Sequence, residues 1–182
     1  MLSLSIDDVA AVTGVVALGA AVVGVGAASL KMAVEWESAF AGVRKTVNTT
    51  DEELAQTEQG LRDMAKVTPV SAENLAAIAE LGGQLGVVND QTEDVSGTLL
   101  DFTGVIAAMG VSTNLTTEEA AVGFAQMSNV MGTAERIGSE AFSRLGSTIV
   151  ALGNSSATTE ADILNFAQRL AGAGSVAGEA DC

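Results

Sequence analysis

Clustered carboxylates are the residues of this chain with the most evident chemical potential. Those that could be read as chemical pairs include Glu35/Glu37, residues 51–53, Glu118/Glu119 and Glu160/Asp162. Two neighbouring carboxylates could act as a general acid and base, or could hold a divalent cation. Most of these acids, however, follow a Thr at a predicted helix start, where negative charge offsets the positive end of the helix dipole. The spacing therefore favours helix capping, and we predict neither catalytic residues nor a metal site.

The residue inventory excludes several kinds of enzyme. The 182 residues include no His and a single Cys, Cys182. A Ser-His-Asp unit, a Cys/His zinc site and a disulfide within the chain are therefore all impossible. The glycines Gly82, Gly83 and Gly86 lack the Lys-Ser/Thr that completes a phosphate-binding loop. We predict that the chain is not an enzyme and uses no cofactor.

The net charge argues against nucleic acid as a partner. The chain has 8 Lys and Arg against 23 Asp and Glu, which gives a net charge of −15. A surface of this sign repels the phosphate backbone. Arg44 and Lys45 form the only adjacent basic pair. We predict no specific binding to nucleic acid.

The elements that carry these residues are predicted to be helices throughout. Ala (31 residues) and Gly (20 residues) dominate a chain with only 3% aromatic residues, and no alternating pattern indicates a strand. Small side chains bury little area each, so such a chain must pack its helices closely. We predict an all-α fold with an apolar N-terminal helix followed by about six short capped helices. The six are predicted to start near Thr50, Ser71, Gln91, Thr116, Ala134 and Thr158.

Helical spacing also predicts which residues face inward. In the first capped helix Glu53 is expected to reach back to its own cap, Thr50. In the last helix Ile163, Phe166 and Leu170 form the apolar stripe that is expected to face the core. The predicted organisation is 1–47 for the apolar helix and its extension, 48–175 for a helical core domain, and 176–182 for a tail.

An uncharged segment runs from Val9 to Leu30. As a helix, its 22 residues would span about 33 Å, which is enough to cross the hydrocarbon core of a bilayer. The acidic residues before it argue against a secretory signal. A transmembrane helix, a helix buried in a helical assembly, and a segment that is sheltered in one state and enters a membrane in another all remain open. Trp36 fits either a membrane interface or packing on a neighbouring helix.

Two stretches of the sequence resemble each other. Residues 116–126 (TTEEAAVGFAQ) match residues 158–168 (TTEADILNFAQ) at both ends, with an offset of 42. A duplicated helical hairpin would explain the match. Independent use of the same cap and core residue types would explain it as well.

The order of several motifs resembles the core region of phage tail tape measure proteins. An Ala/Gly-rich apolar run leads into Lys31, Trp36-Glu37 and the Phe-x-x-Val of Phe40 and Val43. A Pro-x-Ser start at Pro69 and Ser71 follows, and then an Ile-Ala-Glu-Leu-Gly-Gly-Gln-Leu-Gly stretch that contains Gly82 and Gly86. A closing block contains Phe166. The resemblance extends over residues 17–175.

This resemblance implies a structural role. Tape measure proteins are long helical chains in the tail lumen that set tail length during assembly and leave the tail with or before the DNA. The implied partners are tail tube proteins, tail assembly chaperones and further copies of the chain, with transient contact to the host membrane during ejection. Fully helical, the chain would reach only about 270 Å, so we expect a piece of a longer protein. The alternative function is a small membrane-active or membrane-anchored helical protein that acts through residues 9–30.

Overall fold

A computed structural model describes residues 32–131 and 140–179. The predicted apolar helix from Val9 to Leu30, and Lys31 after it, lie outside the described residues. The chain divides into two compact units, Met1–Ser38 and Ala39–Cys182. Of the first unit, residues 32–38 are described, and they are helical. The division at 47 and 48 that the sequence suggested stays a prediction.

The described residues form seven helices and no strand. The all-α prediction is confirmed, and six of the described helices follow residue 50. The predicted helix start near Ala134 lies outside the described residues. We number the helices in chain order as α1 (32–46), α2 (Asp51–Val67), α3 (Ala72–Gln84), α4 (Val95–Ser112), α5 (Thr117–Met131), α6 (Ala141–Ser155) and α7 (Glu160–Glu179).

Local capping explains most helix starts. Thr50 accepts a hydrogen bond from the Glu53 backbone N–H, and Ser71 accepts one from that of Asn74, both at 3.3 Å. The predicted start of α4 near Gln91 was wrong, since α4 begins at Val95. The Asp94 carboxylate accepts from the Gly97 backbone N–H at 2.8 Å and thereby caps the helix at the later position.

Within the second unit the helices alternate between two layers. The helices of each hairpin pack together, α2 on α3, α4 on α5 and α6 on α7. Helices two apart in the chain also pack together, α2 on α4, α4 on α6, α3 on α5 and α5 on α7. The described helices α2 to α7 therefore form three helical hairpins laid side by side, an arrangement in which each hairpin buries the apolar face of its neighbour.

The core follows α4, which packs against α2, α3, α5 and α6. Phe102 is fully buried and meets the ring of Phe142 on α6 edge to face, with centroids 5.2 Å apart. Gly82 on α3 lets this helix approach α4 closely. A Cβ atom there would lie 2.9 Å from a methyl group of Leu99 and 3.0 Å from the Phe102 ring. Close approach through small residues thus replaces bulk in this core.

The prediction that Ile163, Phe166 and Leu170 face the core was wrong. Phe166 is 62% exposed and Leu170 is 56% exposed. Helix α7 instead turns Leu164 toward α5, where it packs over Gly123 and is 3% exposed. The apolar stripe therefore lies on the side of α7 that points away from α5.

The sequence match between residues 116–126 and 158–168 is out of register with the helices. Helix α5 begins at Thr117 and α7 at Glu160, so their starts are 43 residues apart, whereas the matching letters are 42 apart. One residue turns a helix by about 100°. Phe124 is accordingly fully buried while Phe166 is exposed. The matched residues have different structural roles, which favours independent use of the same residue types.

Candidate functional site

In the acidic pair at residues 118 and 119, Glu119 forms a capping box with Thr116. Glu119 Oε2 accepts from the Thr116 backbone N–H at 3.0 Å and from the Thr116 hydroxyl at 2.7 Å. In return the Thr116 hydroxyl accepts from the Glu119 backbone N–H at 3.2 Å. Hydrogen bonds from the backbone and then the side chain of Thr116 lower the pKa of Glu119 below its ordinary value of 4.5. A carboxylate held ionised in this way is a poor general acid.

Glu53 connects two hairpins. Its carboxylate was predicted to reach back to Thr50, but Oε1 accepts from the Val95 backbone N–H at 3.1 Å. Oε2 accepts from the hydroxyl of Thr49. Val95 is the first residue of α4, so a carboxylate in the first turn of α2 satisfies an unpaired N–H at the start of α4.

Asp101 plays the same part for the next hairpin. Glu140, which precedes α6, makes no side-chain cap. The Asp101 Oδ2 atom on α4 instead accepts from the backbone N–H groups of Phe142 and Ser143, at 2.9 and 3.0 Å. Its other oxygen accepts from the Ser143 hydroxyl. The carboxylates of Glu53 and Asp101 thus link α2 to α4 and α4 to α6, each across about 42 residues of sequence.

Neither a candidate metal site nor an orphaned buried polar group occurs among the described residues. No three His, Cys, Asp or Glu side chains in residues 32–131 and 140–179 are grouped so that they could hold a metal ion. In the same part of the chain, every buried side-chain nitrogen and oxygen has a hydrogen-bond partner. Buried hydroxyls such as that of Thr103, which donates to the Leu99 carbonyl on α4 at 2.7 Å, bond within their own helix, so none is left orphaned at a prospective reaction centre.

A groove of about 720 Å³ lies between α4 and α6. Small and apolar residues dominate its lining, among them Gly104, Val105, Ala108, Gly146, Val150 and Ala151. Asp101 is the one charged residue in that lining, and its two oxygens are occupied by the α6 cap. The groove therefore offers apolar surface without a reactive group.

The aromatic motif residues are mainly packing residues. Trp36 is 5% exposed, Phe40 is 2% exposed and Val43 is fully buried, whereas Glu37 is exposed. The guanidinium of Arg44 lies 5.3 Å from the centre of the Phe40 ring, within cation–π distance. These residues anchor a helix and do not converge on a binding site.

The motif residues further along the chain are caps, turns and close contacts. Pro69 is exposed between α2 and α3, and Ser71 caps α3. Gly82 makes the close approach to α4, and Gly86 has a φ of +71° that disfavours any other residue. Phe166 is a large apolar residue that is mostly exposed. The structure brings none of these residues together as one site.

One helix in the described part of the chain is long and apolar enough to span a membrane. It is α4, and half of it is buried inside the protein. Partial burial of this kind is typical of the core helix of a folded domain.

No protein-family model matches the chain, and no curated protein or solved structure was found to be significantly similar to it.

Proposed function

We propose that this chain is a structural protein of a phage tail, of the tape measure type, and that it acts without catalysis. One observation carries the proposal: the residues that resemble the tape measure core are used here for packing and capping. Phe40 and Val43 are buried, Ser71 caps a helix, and Gly82 lets two helices meet closely. A motif made of such residues specifies helix assembly and not chemistry.

The use of the carboxylates supports the same proposal. Glu53 and Asp101 cap helices of the following hairpin, and Glu119 caps its own helix. These acids are occupied by backbone N–H groups, as expected for a scaffold. The remaining negative charge suits a protein that occupies a tube through which DNA must also pass, since like charges limit adhesion.

An in-frame deletion in the encoding phage or prophage tests the proposal. Residues 51–179 would be removed, and purified particles would be imaged by electron microscopy and analysed by mass spectrometry. We expect the intact chain in wild-type tails, and shortened or absent tails in the deletion strain. A silent substitution series over the same codons controls for effects on neighbouring genes. Normal tails of normal length after the deletion would exclude a role in tail assembly.

The uncharged segment from Val9 to Leu30 favours a second candidate function in membrane binding. Flotation of the chain with phosphatidylcholine/phosphatidylglycerol vesicles would test it. The matched variant is Val16→Asp, which places a charge near the middle of the segment at a cost of about 3 kcal/mol for insertion. Membrane activity predicts that the wild-type chain floats and the variant does not. Equal flotation of both would exclude this segment as the acting element.

A further inference from the structure

The exposed stripe on α7 has the spacing of a helix-pairing surface. Ile163, Phe166 and Leu170 are three and four residues apart, the a/d spacing of a coiled-coil seam. Phe166 and Leu170 are more than half exposed, and Ile163 is partly exposed. Leu164 and Gln168, on nearly the opposite side of the helix, contact α5. The stripe is thus a second apolar face on a helix whose first face is already packed.

The charges beside this stripe are self-complementary. Asp162 and Arg169 are seven residues apart and therefore lie on the same edge of the helix, one negative and one positive. Both are exposed. The other edge is occupied near its start, because the Glu160 side chain lies against Gly153 on α6. The edge with the two charges is thus the one available to a partner.

We infer that two copies of this chain pair through α7, antiparallel to each other, about a two-fold axis between Leu164 and Asn165. Ile163 of each copy then meets Phe166 of the other. Asp162 of each copy comes within reach of Arg169 of the other, which gives two symmetric ion pairs. A parallel pair would leave each charge beside an uncharged residue of the other copy. The opposite charges on a single edge therefore select the antiparallel pair, and an isologous contact of this kind closes after two copies.

This pairing goes beyond the proposed tail function, because it is argued from the exposed surface of α7 alone. It also identifies a second copy as the partner that covers Phe166. The overlap of the two helices runs from about residue 159 to residue 170, which is about 17 Å. An interface this short belongs to the small, weakly associating class.

Sedimentation velocity on the full chain tests the inference, over about 1 to 300 µM, where small interfaces dissociate. We expect a monomer–dimer equilibrium in the wild type. Phe166→Glu should raise the dissociation constant at least tenfold, because it removes the largest buried ring and sets two carboxylates in the seam. Val67→Glu is the matched control, since Val67 is 84% exposed at the end of α2, and it should leave the constant unchanged.

Charge reversal tests the orientation of the pair. Arg169→Glu should weaken dimerisation, because it faces Asp162 of the other copy, and adding Asp162→Lys should restore it. Circular dichroism would verify that each variant is folded. A monomeric wild type throughout the range would overturn the inference, as would association that Phe166→Glu leaves unchanged. Loss of association in Arg169→Glu without recovery in the double variant would overturn the antiparallel arrangement.

Discussion

Substitution of Asp101 by Ala should destabilise the chain by uncoupling α4 from α6. Helix α6 has no side-chain cap from its own preceding residue, Glu140. The Asp101 carboxylate supplies the missing acceptors for Phe142 and Ser143 from a position on another helix. Alanine at residue 101 would leave these groups without an acceptor and would remove the negative charge from the helix start.

The magnitude follows from the interactions that are lost. Removal of a helix N-cap costs typically about 1 kcal/mol and up to about 2 kcal/mol. The interaction of the charge with the helix dipole adds about 0.3–1 kcal/mol. We therefore expect Asp101→Ala to lower the free energy of unfolding by about 2 kcal/mol. Asp101→Asn retains one acceptor oxygen and should cost about half as much, since charged acceptors bind more strongly than neutral ones.

Urea unfolding followed by circular dichroism at 222 nm measures this difference. For a chain of this size, 2 kcal/mol also corresponds to a fall in Tm of about 4–8 °C. Asp63→Ala is the control, because Asp63 pairs with Lys66 on an exposed surface, where such pairs contribute about 0–1 kcal/mol. An equal loss of unfolding free energy in Asp101→Ala and Asp63→Ala would refute the role assigned to Asp101 in linking the hairpins.

Three further predictions concern close packing, pH and capping. Gly82→Ala should lower the free energy of unfolding by about 1 kcal/mol, because crowding of the core outweighs the better helix propensity of Ala. Gly104→Ala should raise the free energy of unfolding by up to about 1 kcal/mol, because the added Cβ would meet only ordinary contacts. Urea unfolding compares the two variants, and changes of the same sign in both would contradict the packing argument. Because the pKa of Glu119 is lowered in the folded state, its contribution to the stability of the fold is present above pH 4.5, the ordinary pKa, and is lost as the pH falls through the lower folded pKa. Thermal unfolding should therefore show a smaller fall in Tm on acidification to pH 3 in Glu119→Gln than in the wild type. An identical fall in Tm in both proteins would contradict this prediction. Ser71→Ala should cost about 1 kcal/mol in urea unfolding while Ser71→Asp, which retains an acceptor, should cost less; the reverse order would count against the cap.

Helix identity and most helix starts could be predicted from local sequence. Thr50, Ser71 and Thr116 were predicted correctly as caps of the helices that follow them, because an N-cap involves only neighbouring residues. The start of α4 was missed by four residues, since Asp94 was not identified as its cap. The signal was present in the Asp-Val-Ser-Gly sequence at 94–97, where an Asp directly precedes an apolar stripe.

The links between hairpins could not be predicted in this way. Asp101 and Glu53 bond to backbone groups about 42 residues further along the chain, and the choice depends on which helices lie side by side. The prediction of which face of α7 is buried was wrong for a related reason. Both Leu164 and the stripe through Phe166 are apolar, so periodicity indicates two faces, and only the packing on α5 decides which is buried.

Tail length in a strain with an in-frame duplication of residues 51–179 tests the proposed tape measure role most directly. The duplicated segment would lengthen the tail by about 190 Å if its helices lie end to end, at about 1.5 Å per residue. Electron microscopy of purified particles gives the length distribution. The proposal predicts assembled tails that are longer on average than wild-type tails, by an amount that approaches about 190 Å, i.e. about 1.5 Å for each added residue. Assembled tails that contain the lengthened chain and keep the wild-type length would contradict it.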